Sequence, residues 1–144
     1  MSNLAQAAWT HGLGIFLEDK SWSIDRTGAG GIVYPSNTSL DGWIHFVIPT
    51  PVVVNNTRLA AKQAIVRLST GAKALIRTIS VHDGDTLIAN FGVQVSSPNV
   101  QTYFYPISSP PQVFYGLQIN VEVVFADRST DAWANFVGGG IDFQ

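Results

Sequence analysis

The sequence contains no cysteine, a single methionine and little charge of either sign. Without cysteine there is no disulfide scaffold, no thiolate zinc site and no cysteine nucleophile. Eight Lys and Arg stand against ten Asp and Glu, so charged residues make up 12% of the chain, where a soluble domain typically has roughly 25%. That scarcity excludes a charge-rich disordered tail and a dense basic footprint for nucleic acid. No apolar run approaches the roughly 20 residues of a membrane-spanning helix. The opening Met1-Ser2-Asn3-Leu4-Ala5-Gln6-Ala7-Ala8-Trp9 lacks the basic and apolar regions of a cleaved secretory signal. A cytoplasmic location is the default expectation, with export by a route that uses no cleaved signal left open. Gly-x-Ser-x-Gly, Gly-x-Gly-x-x-Gly after a strand and the Walker A sequence are all absent. Asn37-Thr38-Ser39 and Asn55-Asn56-Thr57 match the glycosylation pattern, which is idle without a secretory route.

What is present is a period of two. From Tyr115 to Phe125 the odd positions read Tyr, Leu, Ile, Val, Val, Phe, against Gly116, Gln118, Asn120, Glu122 and Val124. Such alternation marks a strand with one apolar face. Leu87–Val95 alternates likewise, and Ile44, Phe46 and Ile48 alternate with Trp43, His45 and Val47. Shorter strand-like runs are Gly14–Glu18, Ser21–Arg26, Gly31–Tyr34, Ala64–Ser69, Ala74–Val81, Val100–Tyr105 and Trp133–Val137. Gly28-Ala29-Gly30-Gly31, Asp41-Gly42, Thr70-Gly71, Asp83-Gly84 and Pro110-Pro111 supply turn chemistry between them, Asp83-Gly84 being the strongest hairpin signal. Pro49 and Pro51 cannot donate to a ladder, so the chain should bend, switch sheets or run along an edge over Val47–Val53. Residues 96–112 read as loop-rich. Ala60–Ala64 fits either one helical turn or the start of a strand, and no window carries a sustained helical period. Gly138-Gly139-Gly140 reads as a bend or a place of close backbone approach. With no repeat or linker, the expectation is a single all-β domain over residues 1–144. It should be an antiparallel, jelly-roll-like β-sandwich of about eight to ten strands, with a closed barrel as the alternative and residues 1–8 as an extended arm. Trp22 and Phe46 are assigned to its core.

Trp43-Ile44-His45-Phe46-Val47-Ile48-Pro49-Thr50-Pro51-Val52-Val53-Val54-Asn55 resembles the central motif of a family of small, uncharacterised bacterial β-proteins. The likeness extends to Trp9-Thr10-His11-Gly12, Arg58-Leu59, Val66–Gly71 and Val81-His82-Asp83-Gly84, and so covers roughly residues 9–90. It implies a compact β domain and no catalytic residue.

The residues that could carry chemistry are scattered. His11, His45 and His82 lie on different elements without metal-ligand spacing, and read as polar residues at strand ends. Asp83-Gly84-Asp85 lacks the further oxygen ligands of a calcium loop. Glu18, Asp25 and Glu122 are the carboxylates inside strand-like runs, too few and too dispersed to mark a hydrolase pair. No catalytic residue, metal or cofactor is expected.

Surface character is more informative. Arg58, Lys62, Arg67, Lys73 and Arg77 fall in one window without an acid, while Glu122, Asp127, Asp131 and Asp142 gather near the other end. Protection of exposed strands explains the basic window first. Its meeting the acidic segment of a neighbouring subunit ranks second, and nucleic acid third. Low charge with net charge near zero favours association. The leading expectation is therefore a non-enzymatic, self-assembling homo-oligomer, with no nucleic acid partner and no membrane insertion. The alternative is a lectin-like carbohydrate-binding module, because aromatic faces stack on sugar rings and amides satisfy hydroxyls. Its candidate ligand residues are Trp9, Tyr103, Tyr105, Asn99 and Gln101, the last four beside a proline-rich loop.

Overall fold

The structure, a computed structural model, describes residues 6–144. Thirteen strands follow in chain order: β1 (Gln6–His11), β2 (Phe16–Leu17), β3 (Ser23–Thr27), β4 (Gly30–Tyr34), β5 (Asp41–Val47), β6 (Val53–Val54), β7 (Thr57–Arg58), β8 (Ala61–Thr70), β9 (Ala74–Asp83), β10 (Thr86–Val95), β11 (Gln101–Pro106), β12 (Leu117–Phe125) and β13 (Ala134–Phe143). A single 3-10 turn, Gly12–Gly14, follows β1. Among the described residues no helix is long and apolar enough to cross a membrane.

The strands form two antiparallel sheets. The first runs β11-β8-β13-β4-β3, and β1 also pairs with β13. Because β8 follows one edge of β13, β4 and β1 share the other edge end to end, at Ala134–Phe136 and Gly138–Phe143 respectively. The expected arm is thus, from Gln6 onward, a paired strand; residues 1–5 lie outside the described residues. The second sheet runs β10-β9-β12-β5-β2. Neither sheet closes on itself, so the molecule is a β-sandwich and the barrel alternative is ruled out.

The alternation seen in the sequence builds the core between the sheets. Ile44, Phe46, Ile79, Val81, Ile119, Val121 and Val123 of the second sheet meet Val33, Ala64, Val66, Leu68, Phe136, Ile141 and Phe143 of the first. Phe46 meets Phe136 edge-on at 6.0 Å, and Trp22 meets Phe125 at 5.1 Å. The Trp22 indole N–H donates to the Ser39 carbonyl oxygen (3.0 Å), which satisfies the polar atom of a buried ring.

Local chemistry decides the junctions. After β5 the two prolines take the chain out of the sheet, and β6 and β7 form a separate hairpin. Its turn is Asn55-Asn56, both with positive φ (50° and 62°), the pattern of a type I′ turn. The β9–β10 hairpin turns through Gly84, with φ of 59°. Asp83 stays in the strand, and its carboxylate accepts the backbone N–H groups of Phe114, Tyr115 and Gly116 at 2.8–3.0 Å. It thereby ties the loop that leads into β12 to the end of the sandwich. Ala60–Ala64 proves not to be a helical turn: Ala60 makes an isolated bridge to Gln112, and Ala61–Ala64 opens β8. A β-bulge between Leu87 and Ala89 breaks the simple alternation of β10, so Leu87 faces solvent while Ala89, Phe91, Val93 and Val95 meet the core.

Close backbone approach sets the glycine requirements. A Cβ on Gly12 would overlap the Phe136 carbonyl oxygen, whereas one on Gly92 would meet nothing within 4 Å. Gly12→Ala should therefore destabilise by at least about 2 kcal/mol, because rigid backbone must move. Gly92→Ala should stay within about 0.5 kcal/mol of the native chain or stabilise it slightly. Urea unfolding of the two variants checks the contrast.

Asp83 gives a second expectation. Burial works against its charge, but the three N–H donors and nearby Arg58 outweigh burial and hold the carboxyl below its usual range. A depressed folded-state value contributes stability that is present above the unfolded value of about 3.9 and is lost as pH falls through the folded one. Asp83→Asn should cost about 1–3 kcal/mol at neutral pH, since its amide faces an N–H donor. The difference should shrink as pH falls below about 4, as read from urea midpoints across pH.

Candidate functional site

The outward positions of the second sheet form rows set by strand register. One row reads Leu87, His82, Gln118, Val47 from β10 to β5; the next reads Asn90, Ser80, Asn120, His45, Phe16; a third reads Gly92, Thr78, Glu122, Trp43. The centre is polar and the margin apolar. Phe16 (61% exposed), Val47 (54%) and Leu87 (53%) are among the most exposed large hydrophobic residues of the molecule. Trp43 stands half-buried on the β5 side.

Asn120 organises the centre. It is 4% exposed, and Ser80 beside it is 5% exposed, so both need hydrogen-bond partners to offset lost hydration. The Asn120 amide nitrogen donates to Ser80 Oγ (3.2 Å) and His82 Nδ1 (2.8 Å). Its oxygen accepts from Gln118 Nε2 (2.7 Å) and His45 Nδ1 (2.5 Å). The second ring nitrogen of His45 lies 3.0 Å from Glu18 Oε2. Five side chains are thus held upright on a rigid sheet, while His82 uses only Nδ1 inside the network.

Above them lies an open cleft of about 270 Å³, lined by Glu18, Trp43, His45, Ser80, His82, Gln118 and Asn120. It continues past Glu18 and Trp43 into a depression of about 430 Å³ bordered by Asp19, Lys20, Asp41 and Gly42. Fixed donors and acceptors beside an indole are what a ligand with many hydroxyls and an apolar ring face requires.

The carboxylates in this region are engaged. Arg77 makes a two-pronged contact to Glu122 (3.0 and 2.6 Å) and reaches Asp41 (2.7 Å), and Thr78 Oγ1 donates to Glu122 (2.8 Å). The hydrogen bonds from Arg77 outweigh burial and hold the Glu122 carboxyl below its usual range. The contact with Glu122, followed by the charge of Asp41, raises the Arg77 guanidinium. A glycosidase acid needs the opposite shift, so Glu122 is unsuited to proton donation. Among the described residues no group of three or more His, Asp or Glu could hold a metal ion.

The residues singled out from sequence are not brought together. Trp9, 47% exposed, lies on the outer face of the first sheet against Gly140. Tyr103 and Tyr105 point inward from β11 and meet the core's edge, where Tyr105 stacks on Phe91 at 5.4 Å. Burial, and secondarily Tyr103, raise the Tyr105 hydroxyl above its ordinary value. Phe104 between them is the exposed ring, at 57%. Asn99 and Gln101 are exposed at the start of β11. The polar cluster around Asn120 escaped sequence reading. Its signal was present in Gln118, Asn120 and Glu122 and in Trp43 and His45, the polar sides of two alternating strands.

The fold itself has known relatives in shape. It is similar to a low-affinity xylan-binding module, CBM86, from the gut symbiont Roseburia intestinalis, with 8% identity, 97% of each chain covered and a TM-score of 0.60. It is also similar to the C-terminal CBM6 of the laminarinase LamC from Zobellia galactanivorans, with 10% identity, 95% of this chain and 99% of that one covered and a TM-score of 0.55. A family 29 carbohydrate-binding module complexed with cellulohexaose aligns at 9% identity over 96% and 92% of the two chains, with a TM-score of 0.52. At these identities the likeness establishes the fold. No curated protein sequence matches the chain.

These findings overturn the expectation of a self-assembling homo-oligomer. The matching folds are those of carbohydrate-binding modules. Of the charge segregation that suggested contact between subunits, one part is met within the chain, where Arg77 of the basic window binds Glu122 of the acidic segment. Residues 4–144 match the model of DUF6623, a family of unknown function, and the chain belongs to that family.

Proposed function

We propose that the protein is a non-catalytic carbohydrate-binding module whose glycan lies across the outer face of the second sheet. The observation that carries this reading is the Asn120 network: buried Asn120 and Ser80 and the half-buried His45, His82 and Gln118 around them, mutually hydrogen-bonded and lining an open cleft beside the Trp43 indole. Trp43 supplies the face for a sugar ring, and Gln118, His82 and Glu18 supply partners for its hydroxyls. The similarity in fold to modules that bind xylan and cellulohexaose supports the choice of ligand class. The engaged state of Glu122 supports the absence of hydrolysis.

Calorimetric titration with soluble xylan, laminarin and cellohexaose tests the reading. At least one should bind without release of reducing ends, and Trp43→Ala should weaken that binding about tenfold or more, the loss of one central aromatic contact. Phe104→Ala, on the other sheet, should leave it unchanged. Absence of binding across a broad neutral-glycan panel by the folded native chain removes the proposal.

A further inference from the structure

We propose a second binding site, on the outer face of the first sheet, for a sugar residue bearing an anionic group. It uses none of the residues of the first site. Its floor is the glycine run of β13. Gly138 and Gly140 have their outward positions bare, and Trp9 of β1 lies over them: a Cβ on Gly140 would come within 2.6 Å of the indole ring. The ring is thus seated on backbone, with nearly half its surface exposed (47%).

Across Gly138 from β1 stands Arg67 of β8, in register with Gly138. Its Nη1 donates to Thr102 Oγ1 at 2.9 Å, which orients the guanidinium. Among the described residues Arg67 has no carboxylate within ion-pair distance, in contrast to Arg77, which has two. His11 completes the set. Its Nδ1 accepts the Leu13 backbone N–H (3.1 Å), so the neutral ring carries its proton on Nε2. Trp9, Thr10, His11, Arg67, Val137 and Gly138 line an open depression of about 270 Å³ with no acid among them.

An indole face beside an unpaired guanidinium and an imidazole donor matches a sugar ring that carries a carboxylate or a sulfate. The ring stacks, and the planar fork takes two oxygens of the anion. Charge separates the two faces of the sandwich. The first site contains Glu18, with Asp19, Lys20 and Asp41 at its margin, and suits a neutral glycan; the second contains a cation and no acid. The sheets back onto each other through the core, so both sites can be filled at once.

Titration of the full chain with an oligogalacturonate, a sulfated galactan oligosaccharide and a neutral galactan oligosaccharide tests this assignment. At least one anionic oligosaccharide should bind at least tenfold tighter than the neutral one, and the one that binds identifies the group as carboxylate or sulfate. Arg67→Ala should abolish that preference, Arg67→Lys should retain part of it, and Trp43→Ala should leave it intact. Arg67 is exposed, so its replacement leaves the fold in place. Raising the salt concentration should weaken the anionic ligand alone. The proposal is overturned if anionic and neutral oligosaccharides bind alike. It is equally overturned if the preference survives Arg67→Ala, or if a single-stranded oligonucleotide binds through Arg67 more tightly than any anionic glycan.

Discussion

The register of β12 between β5 and β9 is the constraint on which both the core and the polar face depend. Side chains of a strand alternate between faces, so a slip of one residue would carry Asn120 and Gln118 into the core and Ile119 and Val121 into water. Each error would be costly: buried amides without partners on one side, lost apolar burial on the other. The same pairing that places Val121 between Ile44 and Ile79 places Asn120 between His45 and Ser80. Stability of the sandwich and geometry of the cleft are therefore two consequences of one alignment. The Arg77, Thr78 and Glu122 contacts fasten that alignment further along the strand.

The first sheet meets a different constraint, the close approach of β1 to β13. Three consecutive glycines weaken a strand by intrinsic preference. Here they admit large rings from both sides: Phe46 presses on Gly139 from the core, and Trp9 lies on Gly140 from outside. Side chains at these positions would push one ring or the other away. The local penalty in β13 is offset by aromatic burial within and by a shaped aromatic surface without.

Much of this architecture was legible in the residues because it depends on local pattern. The strict alternation of β12 announces its two faces, and Pro49 and Pro51 announce the exit from β5. Trp22 and Phe46 sit in the core as their surroundings in the chain suggest. Other features depend on pairing between distant segments. The bulge that turns Leu87 outward arises from how β10 seats on β9, and nothing within Leu87–Val95 marks it. Tyr103 and Tyr105 looked like a surface because they flank a proline-rich loop, yet the register of β11 on β8 turns them inward and leaves Phe104 outside. The cluster around Asn120 combines Gln118 and Asn120 of β12, Ser80 and His82 of β9, His45 of β5 and Glu18 after β2, segments far apart in the chain, so no spacing rule could assemble it.

The scarcity of charge acquires a meaning once the charges are placed. A surface with few ions presents hydroxyls, amides and aromatic rings, groups that exchange water for a sugar with little desolvation penalty. Two groups of ions bear on the two sites. Arg77, Glu122, Asp41 and Asp83 are committed to holding strands and loops. Glu18 and Arg67 stand at opposite outer faces, one turned to an imidazole and the other to a hydroxyl. With so little background charge, each of these two weighs heavily in its own site. Coulombic interaction with a ligand is strongest where no counter-charge lies nearby. On the proposed reading, selectivity between neutral and anionic glycans needs no dense charged patch, only one guanidinium without a carboxylate partner held beside an aromatic ring.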